Sequence, residues 1–469
     1  MAFGPDMSIY RRELRVAALT GLAIVAAYVV FTLLTLPKPP EGIRILAINK
    51  GIFDSMTQAF QTNWTRLLWP MEYEMNRIYW PPATLFPTYA AERFLGPLAS
   101  YLLFSCLFIG TAFALAFYVT RSLVFAATLG FMFAFGTQLN YTYTYGSLIP
   151  LYLILTFCAV NLTIVVMLLR EEVTAGRGYL AFAGSLCLIA LSSEWWINYA
   201  IALISAAAFG VVWAQWHVRP VVTRVCAFVI VATIATLAVY LLIRLQYPGQ
   251  FTRYGEEEEL LLTYTSPVMM VEDFLTNFFT FLYMSLDNYL PSFVSSSNSL
   301  TYLGPEKIIA EQHGYHAQYQ HLVVMSHLFM WRFYAGIAAT VFVGLFILVV
   351  RRAWKSPAWH HAVIACLMLM VATGFATHLA IKMRPYNSVP GLSYKVVFSV
   401  SALTILVAYL VMTEWRRLSS PRSRWVLLGA VWLCVAAAAI TRPGMQQQLL
   451  GQVGLVGFRD PLGQILSVK

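Results

Sequence analysis

The residues that could do chemistry in this sequence lie in a few polar stretches between long apolar runs. The first stretch carries three carboxylates, Asp54, Glu72 and Glu74. A positioned carboxylate can act as a general base, and a cation can stabilise charge that builds on a leaving group. Arg77 follows these acids, and the aromatic residues Tyr79 and Trp80 come next. Such an aromatic platform can stack on a sugar ring, whereas an aromatic belt at a membrane interface accounts for the same side chains without a ligand.

Asp54 has a structural interpretation beside the chemical one. Around it, large apolar residues recur at steps of three and four, which predicts an amphipathic helix: Phe53, Met56, Phe60, Trp64, Leu67 and Leu68. This helix ends near Pro70 and contains a tryptophan, which favours a short helix that lies in the plane of a membrane interface. Asp54 would then stand in the first turn, where a carboxylate also interacts favourably with the helix dipole.

A second polar group contains His378, Lys382 and Arg384. A lipid-linked phosphate at the interface would pair with the cations of this stretch, Lys382, Arg384 and Lys395, although solvated or snorkelling side chains remain an alternative. Glu194, between two short apolar runs, is either a helix-end cap or part of a cavity. The later run Glu256 to Glu259 is typical of a solvated turn, and the histidines that follow match no zinc motif.

The composition decides which elements must position these residues. Of 469 residues, 59% are hydrophobic and only 11% are charged, which excludes an ordinary soluble domain. Because a membrane-spanning helix needs about 20 mostly apolar residues, the pattern predicts an all-α, polytopic transmembrane bundle of about eleven spans. The predicted spans are 16–36, 97–118, 122–138, 147–169, 179–193, 198–214, 225–246, 328–350, 359–381, 396–413 and 425–441. Three of them, 122–138, 179–193 and 198–214, are short enough to be tilted, re-entrant or broken.

The positions of the basic residues predict the orientation. Arg11, Arg12 and Arg15 precede the first span, which places the N-terminus in the cytoplasm. Alternate connections then fall inside, and they are short and basic, so the net charge of +10 is mainly a topology signal rather than a sign of nucleic-acid binding. The long segments fall outside as a first outer loop (37–96) with interfacial helices, a second large outer loop (247–327) and a periplasmic C-terminal tail (442–469). All six cysteines lie in apolar runs and are expected to be small buried hydrophobic residues without disulfides.

This arrangement resembles the GT-C superfamily of integral-membrane glycosyltransferases. The resemblance rests on an inside N-terminus, one span, an acidic first outer loop with interfacial helices, and closely spaced short spans. It also includes a stretch that is similar to the turn between the third and fourth spans of that superfamily, Phe135-Gly136-Thr137-Gln138-Leu139-Asn140-Tyr141 followed by Tyr145-Gly146-Ser147 and Pro150.

The resemblance implies transfer of a sugar from a polyprenyl-phosphate donor to an acceptor at the outer face of a membrane, which we expect to be a bacterial inner membrane. It makes Asp54 the first choice for the catalytic carboxylate, with Glu72 and Glu74 as alternates, and it assigns the carrier phosphate to Arg77, Lys382 and Arg384. A divalent metal is compatible with this chemistry but is not required by it. The expected partners are membrane lipid and the lipid-linked sugar. Two alternatives remain: a non-enzymatic assembly or scaffold subunit, and a lipid or polysaccharide transporter or polymerase.

Overall fold

Long apolar α-helices make up nearly all of the chain that the structure describes. The computed structural model describes residues 7–35, 71–73, 77–79, 82–83, 85–136, 149–192, 196–245, 328–356, 361–370 and 397–452, with the single positions 58, 61, 62, 65, 289 and 373. Within these residues, six helices are long and apolar enough to cross a membrane. The protein is therefore an all-helical integral membrane protein, as the composition predicts.

The elements are named here in chain order. They are α1 Met7–Thr35, β1 Met71–Tyr73, β2 Arg77–Tyr79, α2 Leu85–Leu95, α3 Pro97–Thr120, α4 Leu123–Phe135, α5 Ile149–Leu169, α6 Ala175–Ala190, α7 Trp196–Trp216, α8 Pro220–Leu245, α9 Leu328–Lys355, α10 His361–Met370, α11 Val397–Arg417 and α12 Pro421–Gln452. The two strands form a short antiparallel ribbon, a local addition to the helical fold that the sequence did not predict.

A described helix lies on each of the eleven runs predicted to be spans. The six that meet the length and hydropathy requirement are α1, α3, α5, α7, α8 and α12. Of the three runs predicted to be short, α4 has 13 residues and α6 has 16, whereas α7 extends to 21 residues and is long enough to span. The predicted length of the run 198–214 was therefore too short. The helix also includes Trp196 and Trp216, whose aromatic rings suit a membrane interface.

Helix boundaries follow from local chemistry. Three helices, α3, α8 and α12, begin at proline, which is preorganised for a first helical turn and has no N–H left unpaired there. Helix α4 begins after Ser122, whose Oγ accepts a hydrogen bond from the Phe125 N–H. Helices α3, α5 and α7 are each followed by a residue in the left-handed region, respectively Arg121, Glu171 and Val218. These left-handed residues end the helices and allow short, tight connections.

The helices pack around two main groups of buried side chains. In the first, α1 contacts α3 and α4, and α4 also contacts α11 and α12. In the second, α5, α6, α7 and α8 pack together, with α7 lying against α8. Gly210 permits this last approach, because a Cβ at that position would stand 2.7 Å from the Cys226 sulfur.

Many hydroxyl groups within the described helices are satisfied locally, although the buried hydroxyls of Ser100 and Thr128 have no hydrogen-bond partner among the described residues. Serine and threonine side chains donate to the carbonyl four residues earlier, which removes an unpaired donor from an apolar environment. Such bonds are made by Thr20, Ser105, Thr111, Thr120, Thr156, Thr163, Ser205, Thr233, Thr236 and Thr413. Asn161 instead joins three helices: its Nδ2 donates to Ser185 Oγ (2.7 Å) and to the Phe182 carbonyl (3.2 Å), and its Oδ1 accepts from Tyr199 Oη (2.8 Å).

Contacts between distant helices bring the short basic connections to one end of the bundle, which we call the basic end. Trp213 Nε1, near the end of α7, donates to the Ala353 carbonyl near the end of α9 (2.8 Å). Val222, in the first turn of α8, packs against Trp213 and also belongs to the cluster around Leu168 at the end of α5. The carboxyl ends of α5, α7 and α9 therefore share this end, as an alternating arrangement of spans requires.

One residue of the predicted second outer loop, Tyr289, is described, and it lies within the first core group. It is 6% exposed, its Oη hydrogen bonds with Thr404 Oγ1 (2.5 Å), and its carbonyl accepts from Cys434 Sγ (3.6 Å). Thr404 and Cys434 each lie about 20 Å along their helices from the connection between α11 and α12, at 1.5 Å per residue. Tyr289 thus lies between α11 and α12, at the depth of the helices.

Part of the predicted interfacial helix in the first outer loop is described, together with all six cysteines. Positions 58, 61 and 62 are helical, and Thr62 Oγ1 donates to the Gln58 carbonyl (2.8 Å), as in the predicted interfacial helix. All six cysteines are free. Two of them contradict the expectation of burial, because Cys187 and Cys434 are exposed on the surface of the bundle.

Val218 provides a test of the helix ends. Its φ of 53° is unfavourable for a β-branched residue, and its side chain is 82% exposed, so Val218→Gly should relieve strain with little loss of packing. We expect an increase in unfolding free energy of about 1 kcal/mol, measured by thermal unfolding in detergent. Val212→Gly is the matched control, since Val212 is exposed within α7 and glycine weakens a helix interior. A decrease of the same size in both variants would contradict this assignment of strain.

Candidate functional site

The predicted site residues divide into those that the structure describes and those that it does not. Glu72, Arg77 and Tyr79 lie in the described β-ribbon. The others lie outside the described residues, and their roles stay predictions: Asp54, Glu74, Trp80, Glu194, His378, Lys382 and Arg384.

The register of the ribbon groups the three described positions. Met71 pairs with Tyr79, Glu72 with Ile78, and Tyr73 with Arg77. Since successive positions of a strand alternate between its two faces, positions 71, 73, 77 and 79 belong to one face, and positions 72 and 78 belong to the other. The ribbon therefore brings positions 77 and 79 together on a face shared with Tyr73, and it separates position 72 from both.

Helix α2 follows the ribbon and connects it to the bundle. Ala83, between the ribbon and α2, is buried, and so is Thr88 within α2. Helix α2 packs against α3 and contacts α5. The ribbon is thus a short distance along the chain from a packed helix, so its position is constrained more than that of a free loop.

Three tyrosines from different helices form a buried cluster near the end of the bundle opposite the basic end. Tyr28 of α1 donates from its Oη to Tyr101 Oη of α3 (3.1 Å), and the ring of Tyr101 meets that of Tyr152 of α5 edge to face, with centroids 5.7 Å apart. All three are at most 1% exposed. They lie within about 10 Å of the ends of their helices, at 1.5 Å per residue. This tyrosine cluster ties α1, α3 and α5 together at this end of the bundle.

At the basic end, one carboxylate lies close to two arginines. Glu172 Oε1 lies 3.8 Å from Arg121 Nη2 and 3.8 Å from Arg170 Nη1, and Glu172 Oε2 accepts a hydrogen bond from Tyr118 Oη. Arg170 also stacks over the Tyr118 ring at 4.5 Å and donates to the Val119 carbonyl. Burial, together with the nearby Arg121, lowers the pKa of Arg170 from its ordinary value. The left-handed residues Arg121 and Glu171 bend the chain so that these groups meet.

A cavity of about 370 Å³ also opens at the basic end, between the end of α9 and the start of α10. We call it the basic cavity, and it is lined by Leu348, Arg351, Arg352, Lys355, Ser356 and His361. Arg351, Arg352 and Lys355 belong to one of the short basic connections that the sequence analysis used as a topology signal, and the sequence did not predict this cavity. Basic residues and histidine recur from 351 to 361 in the sequence. This pattern indicates a shared cavity only once the end of α9 and the start of α10 are known to lie side by side.

The described residues hold no metal-binding cluster of three or more His, Cys, Asp or Glu side chains. The carboxylates of the first outer loop that the sequence favours for such a role, apart from Glu72, lie outside those residues.

The tyrosine cluster can be tested by removing one hydroxyl. Tyr101→Phe takes away the acceptor for Tyr28 Oη in a buried site, and we expect the unfolding free energy to fall by about 1 kcal/mol in a denaturing-detergent titration. Tyr179→Phe is the control, because Tyr179 packs on Phe228 and no hydrogen bond of its hydroxyl is recorded with described residues. Equal stability of the Tyr101→Phe variant and the unmodified protein would argue against a contribution of this hydrogen bond.

Comparison with known proteins adds no assignment to this geometry. No protein-family model matches the sequence, and no curated protein matches it either.

Proposed function

We propose that this protein is an integral-membrane glycosyltransferase that moves a sugar from a polyprenyl-phosphate carrier to an acceptor at the outer face of the membrane. The observation that supports the proposal best is the ribbon register, which groups position 77, an arginine, with positions 73 and 79, both tyrosines. An arginine position and two tyrosine positions on one face suit a ligand that combines a phosphate with a sugar ring. The resemblance to GT-C enzymes supplies the reaction.

The proposed reaction needs one base and at least one cation. The base accepts the proton of the acceptor hydroxyl, whose oxygen forms a bond to the anomeric carbon of the sugar. The bond from that carbon to the phosphate oxygen breaks, and the carrier phosphate leaves with the bonding electron pair. Arg77, Lys382 and Arg384 are proposed to stabilise this charge, since preorganised cations act most strongly where charge develops.

Asp54 is the proposed base. Glu72 is less suitable, because its ribbon position is on the face opposite Arg77. Glu74 remains the alternate, and Trp80, Glu194 and His378 are proposed to contact the substrate. A divalent metal held by the first-loop carboxylates is compatible with this scheme, although the reaction as written does not need one.

The proposed topology follows the basic residues. The N-terminus lies in the cytoplasm, the chain crosses a bacterial inner membrane about eleven times, and the C-terminal tail is periplasmic. The grouping of short basic connections at one end of the bundle supports this orientation, because basic segments resist translocation.

The orientation is testable by labelling one introduced cysteine. In a background with the six native cysteines replaced, Ser420→Cys presents a thiol in the exposed connection between α11 and α12. We expect a membrane-impermeant maleimide to label it in inside-out vesicles and not in intact cells. Labelling in intact cells would reverse the proposed orientation and would remove the outer-face reaction with it.

The catalytic proposal is tested by Asp54→Asn, which keeps the size of the side chain and removes the base. We expect sugar transfer to fall by about 100-fold or more, measured in proteoliposomes with a panel of polyprenyl-phosphate sugars, since general base catalysis contributes about 10²–10⁴-fold. Glu13→Gln is the matched control, an exposed carboxylate at the start of α1, and it should keep full activity.

The outcomes distinguish this proposal from its alternatives. If Asp54→Asn is inactive but Glu13→Gln is active, and both elute as the unmodified protein does, the catalytic role of Asp54 is supported. If the unmodified protein transfers sugar from no donor in the panel, an assembly subunit or a transporter is the better interpretation. Retained activity of Asp54→Asn with loss in Glu74→Gln would move the base to Glu74.

A further inference from the structure

The basic cavity gathers four nitrogen-bearing side chains in one hollow. Arg351, Arg352 and Lys355 come from the last two turns of α9, and His361 comes from the first turn of α10. Its volume of about 370 Å³ lies within the range of about 300–1,000 Å³ usual for small-ligand sites. The lining contains no acidic side chain among the described residues, and three of its six residues are cationic.

Some basic residues at the same end are paired with acids, whereas the exposed Arg416 and Arg422 have no recorded ion pair within the described residues, as is also true of the cations of the basic cavity; what distinguishes the latter is that they line one cavity. Arg121 and Arg170 share Glu172, and Arg417 pairs with Glu414 at 2.8 Å. Within the described residues, no ion pair is recorded for Arg351, Arg352 or Lys355. Positive-inside placement alone does not require several such cations to line one cavity. An anionic ligand would compensate them.

The exposed face of α9 shows which kind of anion fits. Six residues at steps of four and three lie along one face of this helix, in the order Ile337, Val341, Gly344, Leu348, Arg351 and Lys355. The first four positions are apolar and exposed, and a Cβ at Gly344 would meet nothing within 4 Å. The last two are cationic and line the cavity. This face therefore offers an apolar strip that leads into a positive pocket.

The walls of the cavity are held in place by contacts from other helices. Trp213 Nε1 and His217 Nε2 hydrogen bond with the carbonyls of Ala353 and Trp354, at 2.8 and 3.1 Å, which fixes the end of α9 against α7. His361 Nδ1 lies 3.0 Å from Tyr409 Oη, and the two rings meet edge to face. These contacts fix the backbone of α9 and α10 on the two sides of the cavity.

We infer that the basic cavity binds a phosphate group, and that the apolar strip of α9 favours an anionic phospholipid as its source. Arginine side chains match phosphate because their planar N–H groups can donate two parallel hydrogen bonds to its oxygens. The acyl chains would lie along Val341, Gly344 and Leu348 while the headgroup phosphate contacts Arg351, Arg352 and Lys355. This site is at the end of the bundle opposite the proposed glycosyl transfer and does not depend on it.

The experiment compares two double variants with the same loss of charge at the same end. Arg351→Gln/Arg352→Gln removes two cations from the cavity, and Arg416→Gln/Arg422→Gln removes two exposed cations that do not line it. Native mass spectrometry after titration with phosphatidylglycerol, phosphatidylcholine or diacylglycerol measures retained lipid. We expect the unmodified protein and the control to retain phosphatidylglycerol preferentially, and the cavity variant to need at least about tenfold more lipid for equal occupancy.

A soluble source of phosphate is distinguished by equilibrium dialysis with radiolabelled inorganic phosphate. Saturable binding to the unmodified protein, lost in the cavity variant and without preference among the lipids, would support the phosphate site and assign it a soluble ligand. Binding of neither probe, or an equal loss in the two double variants, would overturn the inference. If Arg351→Gln/Arg352→Gln does not elute as a folded protein, Lys355→Gln supplies the same comparison with Arg416→Gln as its control.

Discussion

The constraint on which this structure depends is the free energy of placing a polar group in hydrocarbon without a partner. It requires the backbone within the membrane to be helical. The same constraint accounts for the side chains: the hydroxyls of Ser105 and Thr156 bond to carbonyls of their own helices, and Asn161 satisfies its amide by joining α5, α6 and α7. Charged groups are displaced to the helix ends, so any site that handles charge must also be found there.

The two ends of the bundle use this displaced charge differently. At the basic end, left-handed residues at 121, 171 and 218 make the connections short, and a carboxylate such as Glu172 can then balance the arginines that the turn brings to it. At the opposite end, the predicted outer segments are long enough to carry acids, aromatics and cations beyond the helices. Short connections favour rigid ion pairs, whereas long segments can enclose a substrate.

Residues with the same sequence signature consequently have different roles. Basic residues near helix ends look alike in the sequence, yet Arg170 lies against Tyr118 and Glu172 while Arg351 lines an open cavity. Their neighbours differ. Arg170 has Glu172 two residues later in the same connection, whereas the residue that α10 brings to the end of α9 is His361, which is not an acid. Packing thus determines which cations are neutralised inside the protein and which remain available to an anion.

The sequence by itself determined the positions of the helices. A long apolar run that crosses the hydrocarbon layer must pair its own backbone hydrogen-bonding groups, and an α-helix of that length does so. It also determined the residue types of the candidate outer site, most of which, Asp54 among them, lie outside the described residues and stay predictions. Only the tertiary structure decided the ribbon register that separates positions 72 and 77, the burial of Tyr289 beside Thr404, and the basic cavity. Each of these features depends on segments that are distant in the sequence and meet only in the folded chain. Strands of three residues and single contacts between distant helices produce no periodic pattern from which such a meeting could be predicted.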